Sequence, residues 1–468
     1  MLAPEKIETR ESTGSIKLDK RPWFVWLGLW GVIVVWGFII HGVYKRPDIV
    51  PFLTLLTVGT AVLVIVVARY ALKHAWDSVP LVYFYYLALA HLPMFIIWLL
   101  DPSVVYVDYK DSQLRWLTNS NTGPVLFIIL TSLIGFVIGV ALNGERKADL
   151  PPLADGHRPL FIGGLLVVIF AAGLYLYAVF AGGGFGVLFF SPYSVIRERI
   201  YTENYHWGIF LIAIGSGLAL IGAPRERWPL ALLPFAGLAV PLLIGGDRGA
   251  VLYPSLAYVA VLGQRGIKLP RTRVLFLLLF VLFFIIPMVK EMRQVGLASF
   301  SWEQSSSWIH KPFMEMGFTA RTVEITYDII ENGPLDYVYG GSYWLPVERQ
   351  LALLLPFMDR DDVYADVRNT KIFSASKGYS VMAEAYYNFG FAGSLLVFIL
   401  LGYLLSRLQQ RAHTSPYYLA GVVVLLTILI ENVRNSFISV PGRLLVVLLI
   451  IGVIWFGEHL SRRREVEI

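Results

Sequence analysis

Apolar residues run in long, continuous blocks along nearly the whole chain, separated by short polar breaks. A helix of roughly 17–25 apolar residues crosses a bilayer. On that measure the pattern predicts about twelve membrane spans. They fall near 23–43, 50–68, 79–100, 124–142, 160–181, 207–222, 229–245, 250–263, 274–289, 390–406, 417–433 and 440–457. The blocks do not alternate apolar with polar, which excludes a membrane β-barrel. The expectation is an all-α, polytopic membrane protein. A polar tail over 1–20 precedes nine spans within 21–289. One long loop at 290–389, three spans within 390–457 and a basic tail at 458–468 follow.

That loop is too long to be expected without structure of its own. Within it, "ARTVEITYDIIENG" (Ala320 to Gly333) reads as an amphipathic helix stopped by Gly333-Pro334. "LPVERQLALLLPF" (Leu345 to Phe357) reads as a second helix, lying on or dipping into the membrane surface.

Composition agrees with the pattern. The 468 residues are 56% hydrophobic and 14% aromatic, and only 15% are charged, where soluble domains carry about 25%. With no cysteine in the chain, disulfides, thiol catalysis and cysteine-bound metals are excluded. The run after Lys20-Arg21 is too long for a cleavable signal and lacks a small-residue cleavage site.

The net charge of +6 reflects topology rather than a nucleic-acid partner. If the N-terminus is cytoplasmic, Lys20, Arg21, Lys73, Arg146, Arg225, Lys268, Arg411 and Arg462 all fall inside. Basic residues then concentrate on the cytoplasmic side, as short loops require. Both termini are expected there, and the long loop faces outward.

Ionisable groups at membrane depth are costly and call for a functional reading. Here they gather at the outer level. "LLIGGDRGAVLYP" sets Asp247 and Arg248 between two spans. "ENVRNSFISVPGRLL" adds Glu431, Arg434, Asn435 and Arg443, the first three sharing a helix face. "SASKGYSVMAEAYYNFGFAG" adds Lys377, Tyr379 and Glu384, with Tyr387 and Asn388 on Glu384's face. Arg197, Arg199, Arg349 and His310 complete the candidates.

Each has a plainer reading beside the functional one. Arg248 pairs with Asp247 or snorkels to headgroups, and Glu431–Arg434 is a structural pair. Arg443 anchors a helix end, and Glu384 bonds to backbone at another. Arg197, Arg199, Arg349 and Lys377 are solvated, and His310 is structural. Convergence favours function. Arginine's planar fork binds phosphate oxygens in pairs and keeps its charge, so several arginines at one face suit a lipid-linked pyrophosphate. Nucleotide loops, HExxH and acidic metal clusters do not occur, and neither cofactor nor metal is expected.

The order of these motifs resembles bacterial Wzy-type oligosaccharide repeat-unit polymerases of the O-antigen and enterobacterial-common-antigen group. The resemblance rests on "IGGDRGAVL", "YWLPVERQLALLLPF", "GYSVMAEAYYNFGFAG" and "ENVRNSFISVPGRLLVVLL". It implies a GT-C-like membrane glycosyltransferase at the periplasmic face of the bacterial inner membrane. Such an enzyme moves a growing glycan from undecaprenyl pyrophosphate to a hydroxyl of the next lipid-linked repeat unit. It works beside a flippase and a chain-length regulator.

By position, Arg248 matches the family's Gly-x-Arg arginine, and Arg434 and Arg443 its C-terminal pair. Glu384 lies where an acidic residue often stands and is read as the general base of an inverting, metal-independent displacement. His310 matches the ligases' loop histidine by position alone. The alternatives are an O-antigen ligase transferring to lipid A-core and a transporter or flippase for lipid-linked oligosaccharide.

Overall fold

The computed structural model describes residues 50–66, 75–101, 115–143, 156–244, 247–267, 316–352 and 379–466, with scattered positions over 270–288 and at 355. The expected tail 1–20, the span at 23–43, Lys377 and His310 lie outside the described residues. The described chain is all helical. The protein is a polytopic helical membrane protein.

We number the helices in chain order: α1 Val50–Val66, α2 Val79–His91, α3 Pro93–Leu100, α4 Thr122–Leu142 and α5 Arg158–Ala181. Two short helices, α6 Gly184–Phe190 and α7 Tyr193–Arg199, lead to α8 Glu203–Gly222, α9 Trp228–Ile244 and α10 Arg248–Gln264. The amphipathic helices predicted in the long loop are α11 Thr319–Glu331 and α12 Gly341–Leu351. The chain closes with α13 Val381–Ala412, α14 Pro416–Asn432 and α15 Val440–Val466.

Among the described residues, six helices are long and apolar enough to cross a membrane. A seventh crossing results if α2 and α3, bent by 49° at Leu92–Pro93, count as one. The bend lies where Pro93 removes a backbone donor. Large apolar side chains on α15, among them Leu448, Leu449, Val453 and Phe456, are exposed, as lipid contact requires.

Two tight helix pairs frame the bundle, α5 against α8 and α4 against α13. Both depend on glycine. A Cβ at Gly139 would fall on the Ile399 carbonyl oxygen, and one at Gly402 on that of Phe136. Small residues let membrane helices approach until backbones touch.

The helices that carry the expected charges are short. Seventeen residues make up each of α10 and α14, or about 25 Å of helix against a hydrocarbon layer of about 30 Å. They pack side by side. Arg248 begins one and Arg434 follows the end of the other, and both charges act on Tyr86. Helix α13 is broken at Phe389–Gly390, where Gly390 has a φ of +62°. The break separates the turns Val381–Asn388, which carry Glu384, from the span that follows.

Candidate anion cradle

The carboxylate of Asp247 accepts a hydrogen bond from the Ala250 N–H at 3.4 Å and caps α10. The cap sets Arg248 in the helix's first turn, half-buried. At Gly249 the lack of a side chain matters, since a Cβ there would lie 2.9 Å from the Tyr253 hydroxyl. The Tyr253 ring therefore folds back along the turn that bears Arg248. There it meets Tyr86 of α2 edge-on, 5.7 Å between ring centres.

Arg434 reaches the same floor. The charges of Arg434 and Arg248 both act on Tyr86, and those of Arg434, Glu431 and Asp247 on Tyr253. The backbone around Arg434 is fixed by the lead-in to α13. Tyr379 N–H donates to the Arg434 carbonyl at 2.9 Å, and Val381 N–H to that of Val433 at 3.4 Å. At the start of α15, the Arg443 guanidinium hydrogen-bonds the Glu431 carboxylate and lies 5.0 Å over the Phe210 ring of α8. Asn435 donates its amide to the Glu431 carbonyl at 3.1 Å.

Arg443 and Asn435 are thus tied to Glu431 by hydrogen bonds, and Arg248, Arg434, Glu431 and Asp247 lie within electrostatic range of the Tyr86–Tyr253 pair; together they form the candidate cradle. Arg349 lies in the last turn of α12, beside Gln350, whose side chain packs on Gly442 at the start of α15. Arg197 and Arg199 are exposed at the end of α7 and take no part in the contacts above.

Glu384 is a buried strut. Only 1% of it is exposed, and both carboxylate oxygens are occupied. One accepts from the Ser342 hydroxyl at 2.9 Å, the other from the Phe437 N–H at 2.8 Å. Asn388 donates to the Ser342 oxygen and to the Glu384 carbonyl, both at 2.7 Å. The group ties α13, α12 and the turn before α15 together. Burial and the neighbouring Glu384 carboxylate raise the phenols of Tyr379 and Tyr343 well above their ordinary range.

Behind it, His91 is fully buried. Its Nδ1 must donate to the Leu87 carbonyl at 2.8 Å, because a carbonyl only accepts. Its Nε2, 2.8 Å from Ser380 Oγ, therefore accepts the serine proton. Ser380 Oγ then caps α13 by accepting from the N–H groups of Met382 and Ala383.

Sequence reasoning missed four of these groups. Tyr253 is legible in hindsight from the Gly249-x-x-x-Tyr253 spacing. Tyr86, His91 and His206 sit inside or at the ends of apolar runs, and only tertiary packing brings them here. His206, in the first turn of α8, is exposed and lies within the fields of Asp247, Arg443 and Glu431.

The family model described as "O-antigen polysaccharide polymerase Wzy" matches residues 189–462. That is more than half of the chain, and it contains every cradle residue except those of α2. The chain belongs to this family. It is also similar to Protein CapE of Staphylococcus aureus, 27% identical over 373 residues, covering 78% of this chain and 82% of that protein. No solved structure gives a significant match. This member of the Wzy family is therefore a multi-pass membrane polymerase of the glycosyltransferase type, acting in polysaccharide synthesis.

Proposed function

We propose that this polymerase extends a glycan carried on undecaprenyl pyrophosphate, at the periplasmic face of the bacterial inner membrane. The observation that carries the proposal is that Arg248 and Arg434, from separate elements, both act on the Tyr86–Tyr253 pair, while Arg443 is hydrogen-bonded to Glu431, which acts on the same pair. A diphosphate leaves easily only if its growing charge is stabilised as the C1–O bond breaks. Guanidinium groups held in place before the reaction do this without reorganisation, and one such donor is worth about 10²–10³ in rate.

The acceptor is a hydroxyl of the next lipid-linked repeat unit. It attacks C1 from the side opposite the leaving oxygen and inverts the configuration, in a GT-C-like architecture that needs no metal. We assign Arg349, Tyr379 and Asn435 to contacts with the substrate. Arg197, Arg199, Lys377 and His310 are assigned to contacts with the glycan on their sequence positions alone. We assign Glu384 a positioning role in place of the general base suggested by its sequence position. To take a proton from a sugar it would have to leave two hydrogen-bond donors and its burial. It holds α13 and α12 against the turn that separates Arg434 from Arg443. Flippase and chain-length regulator are the expected partners.

The test is direct. Purified protein given an undecaprenyl-pyrophosphate-linked repeat unit should produce a ladder of products, undiminished by chelator, and Arg248→Ala and Arg434→Ala should abolish it without unfolding the protein. Full ladders from both variants would overturn the phosphate role. Transfer to lipid A-core without extension would make the enzyme a ligase. Movement of the lipid-linked oligosaccharide across the membrane with no chemistry would make it a transporter.

A further inference from the structure

We propose that His206 is the general base that removes the proton from the attacking sugar hydroxyl; this rests on the diphosphate-cradle reading above.

A hydroxyl attacking C1 must lose its proton, and a side chain within reach contributes about 10²–10⁴ in rate. Most titratable groups at the cradle are already committed. Glu384 is buried with both oxygens bonded. His91 is buried with both ring nitrogens engaged. Glu431 is held by Arg443 and Asp247 by the cap of α10. His206 is exposed.

Its place on α8 is specific. The helix begins with Thr202, whose hydroxyl accepts from the Tyr205 N–H at 3.4 Å, and His206 N–H donates to the Thr202 carbonyl at 3.2 Å. Four residues on, Phe210 carries the Arg443 guanidinium on its ring. Residues four apart stand one above the other on a helix face, about 5–6 Å between Cβ atoms. The imidazole is therefore stacked one turn above the site where Arg443 would hold phosphate. The rings of Tyr201 and Tyr205 meet it edge-on, each 5.6 Å from its centre, and restrict its swing.

The charged groups around the ring suit the task. Asp247 ahead of α10, Glu431 on α14 and Arg443 on α15 are the ones that act on it. Asp247 and Glu431 carry negative charge that attracts the imidazolium once it forms. The step balances. The hydroxyl oxygen bonds to C1, its proton passes to a ring nitrogen of His206, and the C1–O electron pair leaves with the diphosphate.

The experiment compares wild type, His206→Gln, His206→Ala and Arg443→Ala as purified full-length protein with the undecaprenyl-pyrophosphate-linked repeat unit. His206→Gln should cut kcat about 100-fold or more, leave the KM for the donor unchanged, and abolish the acid limb of the pH–rate profile. Added imidazole should restore part of the turnover of His206→Ala, which a merely structural role would not allow. Arg443→Ala should lose turnover but keep the acid limb. An undiminished kcat in His206→Gln, an acid limb retained there, a loss confined to KM, or no rescue by imidazole would each overturn the assignment. Absence of any ladder from the wild type would instead overturn the function on which it rests.

Discussion

The guanidinium of Arg443 is hydrogen-bonded to the carboxylate of Glu431, twelve residues earlier in the chain. The turn between them carries Arg434, whose backbone carbonyl accepts from the Tyr379 N–H at 2.9 Å. The pair is partly exposed, its side chains retaining 21% and 23% of their free surface, so its worth to stability is about 1 kcal/mol or less. Its importance lies in orientation. Arg443→Lys keeps the charge but loses the planar fork, and we expect a loss of about tenfold or more in kcat/KM. Glu431→Gln should release the guanidinium and raise KM more than it lowers kcat. Steady-state kinetics on the lipid-linked repeat unit distinguish the two outcomes.

Glu384 offers a sharper test, because its two candidate roles predict different losses. As a strut it accepts two hydrogen bonds, and Glu384→Gln turns one acceptor into an amide donor, so that the Phe437 N–H or the Ser342 hydroxyl loses the oxygen it donates to. A buried donor left without an acceptor costs about 1–3 kcal/mol. The variant should melt lower than wild type and lose turnover in proportion. Ser342→Ala, which removes one donor to the same carboxylate, should melt lower by a smaller amount. A Glu384→Gln protein of undiminished stability and much reduced kcat would return Glu384 to catalysis.

Much of this was legible in the sequence, and the reason is the bilayer. A lipid-facing helix needs a long apolar run, so hydropathy alone locates α4, α5, α8, α9 and α15 closely. Charges at membrane depth are rare enough to stand out, which is why the sequence singles out Arg248, Arg434, Arg443 and Glu431 as candidates. The rest hides in ordinary-looking residues. Tyr86 and Tyr253 are common aromatic residues within apolar helices, and their pairing across α2 and α10 depends on tertiary packing. Glu384 marks another limit: the sequence places an acidic residue there, and its two hydrogen-bond partners, Ser342 and Phe437, come from distant segments that no local pattern connects.

Glycines supply a signal that hydropathy passes over. Gly135 and Gly139 form a GxxxG spacing on α4, and their Cα atoms lie against the Leu395 and Ile399 carbonyls of α13. That contact carries α13, and with it Glu384, to its place. Gly139→Leu should force the two helices apart and leave little folded protein, judged by monodispersity in detergent. Gly173→Ala, on α5, is the control. A Cβ there meets nothing within 4 Å, and the variant should assemble and melt as wild type does.

The last prediction concerns the pH dependence of α11. Glu324 is buried there and paired with Arg321 in the preceding turn. Burial raises its pKa above the ordinary carboxylate value even though Arg321 works against the rise. The folded value then exceeds the unfolded one, so the folded state holds the proton more tightly. The group's contribution to stability is complete below the unfolded value and is lost as pH rises through the folded one. Glu324→Gln, which is never charged, should therefore match the wild type in acid and equal or exceed its melting temperature at neutral pH. Arg321→Ala should do the reverse: it strands a buried carboxylate, a loss that reaches about 3–5 kcal/mol for a fully buried pair. Here the loss is smaller, because 24% of the Arg321 side chain remains exposed. Melting curves of the three proteins across the acid-to-neutral range decide it, and a Glu324→Gln protein that melts below wild type at neutral pH would mean that the ion pair outweighs the cost of burial.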